Sequence, residues 1–433
     1  YCHPLRSKSY ERFQIAELYR SYYQLNQPEK AIAEYEAILK QYRNTKVAPE
    51  AQWRIGGLRD EILNQPALAI EAYQKVANNY PTSNFAADAL FQIARIHERQ
   101  KRYELAIPIF EQITLAYPDF WDIYAAVYWS GVCYEKLRDY RRAIVAFKTF
   151  LYAYLPNLDP VYFGEIGKYN QSPAKVETEL KAKLQQLQSD LPKVEWEKIE
   201  KLCTEGNYVV ALPMAQQLIA DVPDSEYAKR AQSELRSIEL HAAIQNLQTQ
   251  IEAQPNTSTA VQAQFRIGKI YERSLQDYRQ AIEAYSKLIK ENPQSPWTAE
   301  ALYQSGLIYA YHINDTGKAI QLYQTLIKQY PASSQTMMAN FQLGELYRSL
   351  HQYDEALKAY QTTIVYPERN QYLADGYKDS FADRAQFRIG RVHYEDRRYD
   401  EAFAAFKEFI ESRSHSPRLA AAYVYLALIS EGR

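Results

Sequence analysis

Nine times along the 433 residues a small residue holds the same place in a recurring segment: Ala31, Ala69, Ala106, Ala143, Ala211, Ala281, Ala319, Ala356 and Ala402. Most neighbours are 37 or 38 residues apart, and eight of the nine are followed four positions later by a ring: Tyr35, Tyr73, Phe110, Phe147, Tyr285, Tyr323, Tyr360 and Phe406. A spacing of four keeps alanine and ring on one helical face. A repeat of this length is one unit that cannot bury its apolar face alone and must stack on its neighbours. The pattern predicts an all-α chain, an α-solenoid of antiparallel helix pairs, each with a helix A and a helix B.

Seven copies carry a second small residue 12 or 13 positions upstream: Gly56, Ala94, Gly131, Gly268, Gly306, Gly344 and Gly390. Helix axes about 8–10 Å apart need residues without bulk where they cross. The small residue of helix A is therefore expected to face the alanine of helix B. Three places after it stands Tyr19, Tyr134, Tyr271, Tyr309 or Tyr347, with His97 and His393 in that slot in two copies. Helix B ends near Pro81, Pro118, Pro156, Pro223, Pro293, Pro331 or Pro367, which cannot continue it.

Small at the eighth place, Tyr at the eleventh, Ala at the twentieth, a ring at the twenty-fourth and Pro at the thirty-second: most of the chain resembles the tetratricopeptide repeat family. The resemblance implies a right-handed superhelix and a non-catalytic protein-interaction scaffold, holding a peptide or partner domain in a groove lined by helix A. Two departures stand out. The family's large fourth residue is replaced by an aromatic one place later, as in AQWRIG (51–56) and AQFRIG (263–268 and 385–390). The period is also longer, with a Tyr-Pro ending and small polar residues after it, as in YPTSNFAADAL (80–90) and YPASSQTMMAN (330–340). This combination is similar to the bacterial envelope subgroup of the outer-membrane assembly lipoprotein and the Tol-Pal coordinating protein. That implies a subunit of an envelope assembly, periplasmic or outer-membrane-associated. A cytoplasmic adaptor and a helical-repeat RNA-binding protein are the competing readings.

Carried onto this sequence, the family's inner positions are Trp53, Arg95, Glu98, Arg99, Tyr128, Glu135, Phe265, Lys269, Glu272, Arg273, Tyr303, Tyr311, Phe341, Glu345, Arg348 and Arg391. Their charges are mixed, which disfavours the acidic chain terminus that some relatives grip with a basic clamp. A further candidate is the insertion at 366–385, which stretches the step from Ala356 to Ala402 to 46 residues. Its Tyr372 and Tyr377, with Tyr366 and Phe381, either anchor a partner or pack back on their own repeat.

Net charge is −1, which supplies no field to gather nucleic acid. The basic pairs and clusters at Lys101-Arg102, Arg138 to Arg142 and Arg397-Arg398 all fall in the turn before helix B, as solvated edges would. Roughly half of the 39 tyrosines occupy packing slots, which argues against stacking platforms. A denser group, Phe120, Trp121, Tyr124, Tyr128 and Trp129, forms either an apolar patch or a core under the 155–173 loop. There is no run of about 20 apolar residues to span a bilayer. Cys2, Cys133 and Cys203 show no disulfide framework or metal spacing, and Cys133 and Cys203 read as packing residues. Cys2 follows Tyr1 without a lipobox, weak ground for a lipid anchor. No phosphate cradle, paired-His spacing or nucleophile elbow appears, so no enzyme activity, metal or cofactor is expected.

Three stretches are expected: a four-repeat array at 1–156, an irregular middle at 157–256, and an array of four repeats with a closing helix at 257–433. In the middle, 155–173 reads as an exposed loop. Residues 174–190 read as a capping helix with Val176, Leu180, Leu184 and Leu187 on one side. A weaker repeat follows at about 194–223, with Trp196, Tyr208, Ala211 and Pro223 in register. Residues 226–253 are either a degenerate repeat or one long connecting helix. The sequence has no initiator Met, and its last helix, about 417–430, lacks a helix B. Those two features suggest a piece of a longer polypeptide, or a terminal cap.

Overall fold

The computed structural model describes residues 4–21, 26–158, 172–365, 380–414 and 416–431, and these contain α-helices, short π and 3-10 turns and no strand. The first helix pairs are α1 (Pro4–Arg20) with α2 (Pro28–Gln41), and α3 (Ala48–Gly57) with α4 (Pro66–Asn79). Next come α5 (Asn84–Arg99) with α6 (Tyr103–Ala116), and α7 (Ile123–Lys136) with α8 (Tyr140–Thr149). The middle holds α9 (Pro173–Thr204), α10 (Tyr208–Asp221) and α11 (Glu226–Ala253). Pairing resumes with α12 (Ser258–Lys269) and α13 (Tyr278–Glu291), then α14 (Pro296–Ile308) and α15 (Thr316–Gln329). It closes with α16 (Ser334–Ser349) and α17 (Tyr353–Val365), α18 (Phe381–Glu395) and α19 (Tyr399–Ser412), and finally α20 (Leu419–Glu431). The chain is an all-α solenoid of helix pairs packed in sequence.

Each pair is held by the same contact. The atoms nearest to a Cβ built on the glycines of helix A belong chiefly to the ring one turn beyond the alanine of helix B. A Cβ added to Gly56 would lie 2.5 Å from Tyr73, one on Gly131 2.9 Å from Phe147, and one on Gly390 2.8 Å from Phe406. The aromatic that departs from the family's pattern packs on that ring from three residues before the small one. Phe13–Tyr35, Trp53–Tyr73, Phe91–Phe110 and Tyr128–Phe147 have centroids 5.6, 6.4, 5.8 and 5.8 Å apart. Phe265–Tyr285, Tyr303–Tyr323, Phe341–Tyr360 and Phe387–Phe406 follow at 5.6, 6.0, 5.7 and 5.6 Å. Glycine exists at the crossing so that a ring can lie flat against its backbone, and a second ring then closes the contact.

The alternation of 12 and 13 between small residue and alanine has a structural cause. The three copies spaced by 13 end helix A in a π-helical turn, at Leu58–Ile62, Ile270–Leu275 and Tyr309–Ile313. The wider turn absorbs one extra residue and returns the chain to register. In both versions one residue before helix B takes a left-handed conformation. It is Asn64, Gln276 or Asn314 after the π turns, and Lys101, Arg138, His351 or Arg397 otherwise. The asparagines tolerate that conformation well.

In the middle, Val176, Leu180, Leu184 and Leu187 are buried as expected and join the core of Tyr124, Phe147 and Phe150. They do not belong to a separate cap, because α9 runs on unbroken through the start of the weaker repeat. Residues 226–253 likewise form one helix, the second of the two alternatives. The chain divides into two compact units, residues 1–198 with 220–229, and residues 199–219 with 230–433, so the middle stretch is shared between them. Tyr124 is buried while Trp121 is 56% exposed. Arg138 and Arg141, expected at a solvated edge, are tied to Glu197 and to Glu195 and Asp221. Cys133 is packed in the core, and burial pushes its thiol up to about 12. Cys203 is half-buried and Cys2 lies outside the described residues. No helix is long and apolar enough to cross a membrane among the described residues.

Two measurements probe this packing. Gly344→Ala drives a methyl into Tyr360, 2.5 Å away, and is expected to cost about 1–3 kcal/mol in denaturant unfolding. Gly57→Ala, whose added Cβ would meet only the Tyr73 hydroxyl at 3.7 Å, is expected to stabilise by about 0.4–1 kcal/mol. Equal effects would refute the ring contact. The second concerns His97 and His393, whose pKa burial lowers in each case, with nearby Arg102 and Arg398 adding to it. The unfolded chain then binds these protons first, so stability is complete above the ordinary imidazole pKa and falls as pH drops through it. Tm is expected to fall between pH 7.5 and 5.5, and the double variant His97→Tyr, His393→Tyr should reduce that fall.

Candidate functional site

Alternate helices touch through helices A: α3 with α5, α12 with α14, α14 with α16, and α16 with α18. The side chains along that face link one helix A to the next. In the first unit Arg54 reaches back to Glu17 at 3.6 Å and Arg99 reaches back to Asp60. Arg95 lies 3.3 Å over the Trp129 ring and holds Glu98 at 2.6 Å. Lys183 reaches Glu135 at 2.6 Å. In the second unit the Gln335 amide donates to Glu300 at 2.6 Å and the Tyr311 hydroxyl to Gln342 at 2.6 Å. Arg388 meets Glu345 at 2.6 Å, while Glu395 takes Arg348 at 3.1 Å and Arg391 at 2.8 Å.

Beneath this layer, the phenols of helix B reach up to the same carboxylates. Tyr35 donates to Glu17, Tyr285 to Glu272 at 2.6 Å and Tyr360 to Glu345 at 2.6 Å. Burial raises the pKa of all three tyrosines, and the neighbouring carboxylates raise it further, so they are permanent donors. Burial opposes ionisation of Glu17, yet hydrogen bonds from Arg20 and Tyr35 and the charge of Arg54 outweigh it and hold its pKa below the usual range. Tyr323 differs, because its buried hydroxyl has no partner among the described residues. Its neighbour Tyr303 is pushed up to about 12, chiefly by burial.

Several residues assigned to the groove are therefore core. Phe265, Tyr303 and Phe341 are 6, 7 and 2% exposed, and each packs on the ring of its own helix B. Trp53 and Tyr128, half-buried, do the same. Arg95, Glu98, Arg99, Glu135, Glu272, Glu345, Arg348 and Arg391 do lie along the face, but already engaged with one another or with the chain's own side chains. Tyr311 stands 53% exposed, and Lys269 and Arg273 line an open groove beside α11. Tyr372 and Tyr377 lie outside the described residues.

Two contributors escaped the sequence reading. Arg384, held over the rings of Phe341 at 4.6 Å and Phe381 at 5.1 Å, has no carboxylate partner among the described residues. The arginine inside the recurring AQWRIG and AQFRIG motifs supplies Arg54 and Arg388, both of which reach back to a glutamate just after the small residue of the preceding helix A. That repetition was visible in the sequence, but its purpose depends on which helix lies next door. The described residues contain no group of three or more His, Cys, Asp or Glu placed to hold a metal ion.

The two buried phenols give a test. Tyr360→Phe removes a charge-assisted bond to Glu345 and is expected to cost about 1–3 kcal/mol. Tyr323→Phe removes an unpartnered hydroxyl and should leave stability unchanged or raised; urea unfolding of both variants separates them.

Comparison with known proteins agrees with this architecture. Two family models, both described as tetratricopeptide repeat, match the chain, one at residues 125–154, 262–295 and 300–333, the other at 17–84, 63–119 and 341–417. No curated protein matches it. Among solved structures it is similar to MamA, with 25% identity over 41% of this chain and 91% of that one, at a TM-score of 0.30. It is also similar to a tetratricopeptide repeat protein from Parabacteroides merdae, with 18% identity over 55% and 98% and a TM-score of 0.25. For the TPR domain of P58(IPK) the identity is 15% over 88% and 97%, with a TM-score of 0.27. With the matched repeats spanning more than half of its residues, the chain belongs to the tetratricopeptide repeat family.

Proposed function

We propose that this chain is a non-catalytic scaffold that holds a segment of another protein against the helix-A face of its second unit, within a bacterial envelope assembly. The observation that carries the reading is the contrast along that face. Most of its charges are spent on neighbouring helices, whereas Tyr311 is exposed and Arg384 keeps donors unmatched by a carboxylate. An exposed ring beside a planar guanidinium suits a polypeptide, which offers apolar side chains to the ring and carbonyls to the guanidinium. The long period, the Tyr-Pro endings and the displaced aromatic support the envelope placement, periplasmic or outer-membrane-associated.

A photo-crosslinking amino acid at position 311 or 384 in the native cell is expected to capture one defined protein. The same group at Leu115, 83% exposed on helix B, should capture none. Capture of RNA, or equal capture from position 115, would overturn the binding face. Recovery of the chain in the cytoplasmic fraction, instead of the periplasm or outer membrane, would overturn the envelope assignment.

A further inference from the structure

The second half of α11 is a helix B without a helix A. Residues 243–255, AIQNLQTQIEAQP, align without a gap on 319–331, AIQLYQTLIKQYP, the helix B and proline ending of a regular repeat. The packing agrees. Gln248 and Ile251 border Gln264, Ile267 and Ala284, just as Gln324 and Ile327 border Asn340, Leu343 and Ala359 two repeats further along. This half-helix thus serves α12 and α13 as any helix B serves the following repeat. In the regular copy the opposite face, with Ala319, Tyr323 and Leu326, is covered by its own helix A, where Tyr303 and Gly306 meet the Tyr323 ring. In α11 the chain that would form that helix A continues straight instead, from Glu226.

The uncovered face is therefore a groove of about 970 Å³, with Ala243, Leu247 and Gln250 on one wall and Arg266, Lys269 and Arg273 of α12 on the other. Its lining contains no carboxylate. The positions filled by Tyr323 and Leu326 in the closed repeat are Leu247 and Gln250 here, a smaller and a polar residue, as suits a surface that meets water part of the time. Arg266 identifies the missing charge. It holds the motif place of Arg54 and Arg388, each of which reaches a glutamate on the preceding helix A. For Arg266 the preceding helix A is the one absent from the fold.

We propose that this groove receives an amphipathic helix from a partner protein, which completes the half-repeat in trans and supplies a glutamate, next to a small residue, to Arg266. Lys269 and Arg273 extend the same preference for an acidic helix. The slot lies at the start of the same run of helices A, but it is argued from α11 and Arg266 and does not rest on the reading given for Tyr311.

The probe is a labelled, stapled peptide copying residues 334–349, the chain's own helix A that carries Gly344 and Glu345, titrated into the full chain by fluorescence anisotropy. Saturable binding is expected, weakened about tenfold or more by Arg266→Glu, as loss of one charged hydrogen bond implies. A peptide with lysine in place of Glu345 should recover affinity for that variant. Gln250→Trp, which fills the groove from an exposed position, should abolish binding while leaving the helical CD spectrum intact. Absence of saturable binding, indifference to Arg266→Glu, or failure of the lysine peptide to recover affinity would overturn the proposal. So would a dimer of the chain, seen by sedimentation and dispersed by Arg266→Glu, since a second copy would then occupy the slot.

Discussion

A ring lying against a glycine backbone sets the geometry of this protein. In eight copies helix B projects one aromatic into its helix A, and a glycine, or an alanine such as Ala94 in α5, leaves room for the approach. Eight copies add a second ring from helix A, with centroids 5.6 to 6.4 Å apart. Aromatic pairs of this kind add about 0.5–1.5 kcal/mol each beyond the area they bury. Because consecutive pairs within each array use the same contact, they present equivalent faces and can stack.

That contact also decides what is left for the surface. With the aromatics of helix A turned into the pair, the face they vacate is filled by arginines, glutamates and glutamines that link each helix A to the next. Individually such half-exposed ion pairs contribute little, about 0.2–1 kcal/mol. Glu17 and Glu345 are in addition anchored from below by the buried phenols of Tyr35 and Tyr360, which gives Arg54 and Arg388 fixed targets. The exceptions to the network among the described residues are few: Arg384 without a carboxylate and the exposed ring of Tyr311 in the closed repeats, and Arg266 where the network runs out of helices.

The register of the repeat was legible because it rests on contacts within one helix pair, close in sequence and repeated. Even the alternation of 12 and 13 carried information, since the longer spacing marks the π turns at Leu58–Ile62, Ile270–Leu275 and Tyr309–Ile313. Contact partners were less legible. Bulk alone pointed to glycine opposite alanine and left out the ring four residues later, which reaches the crossing because side chains on a helix lean toward its N-terminus. The same displacement put Phe265, Tyr303 and Phe341 into the core when family positions had placed them in a groove. Residues 243–255 escaped notice because the ring that marks every closed repeat is a leucine there.

By itself, then, the sequence determined the helices, their pairing and the stacked architecture, since all of these follow from periodic burial of small and aromatic residues along one chain. Tertiary structure alone decided which charged side chains are free. A guanidinium is satisfied or available according to the helix beside it, and along the helix-A face that neighbour lies 37 to 47 residues away, in a repeat whose presence the local pattern cannot guarantee. Where α11 continues straight past the place of a turn, a motif identical to its siblings acquires a different environment, and an arginine that elsewhere ties the fold together is left facing an open groove.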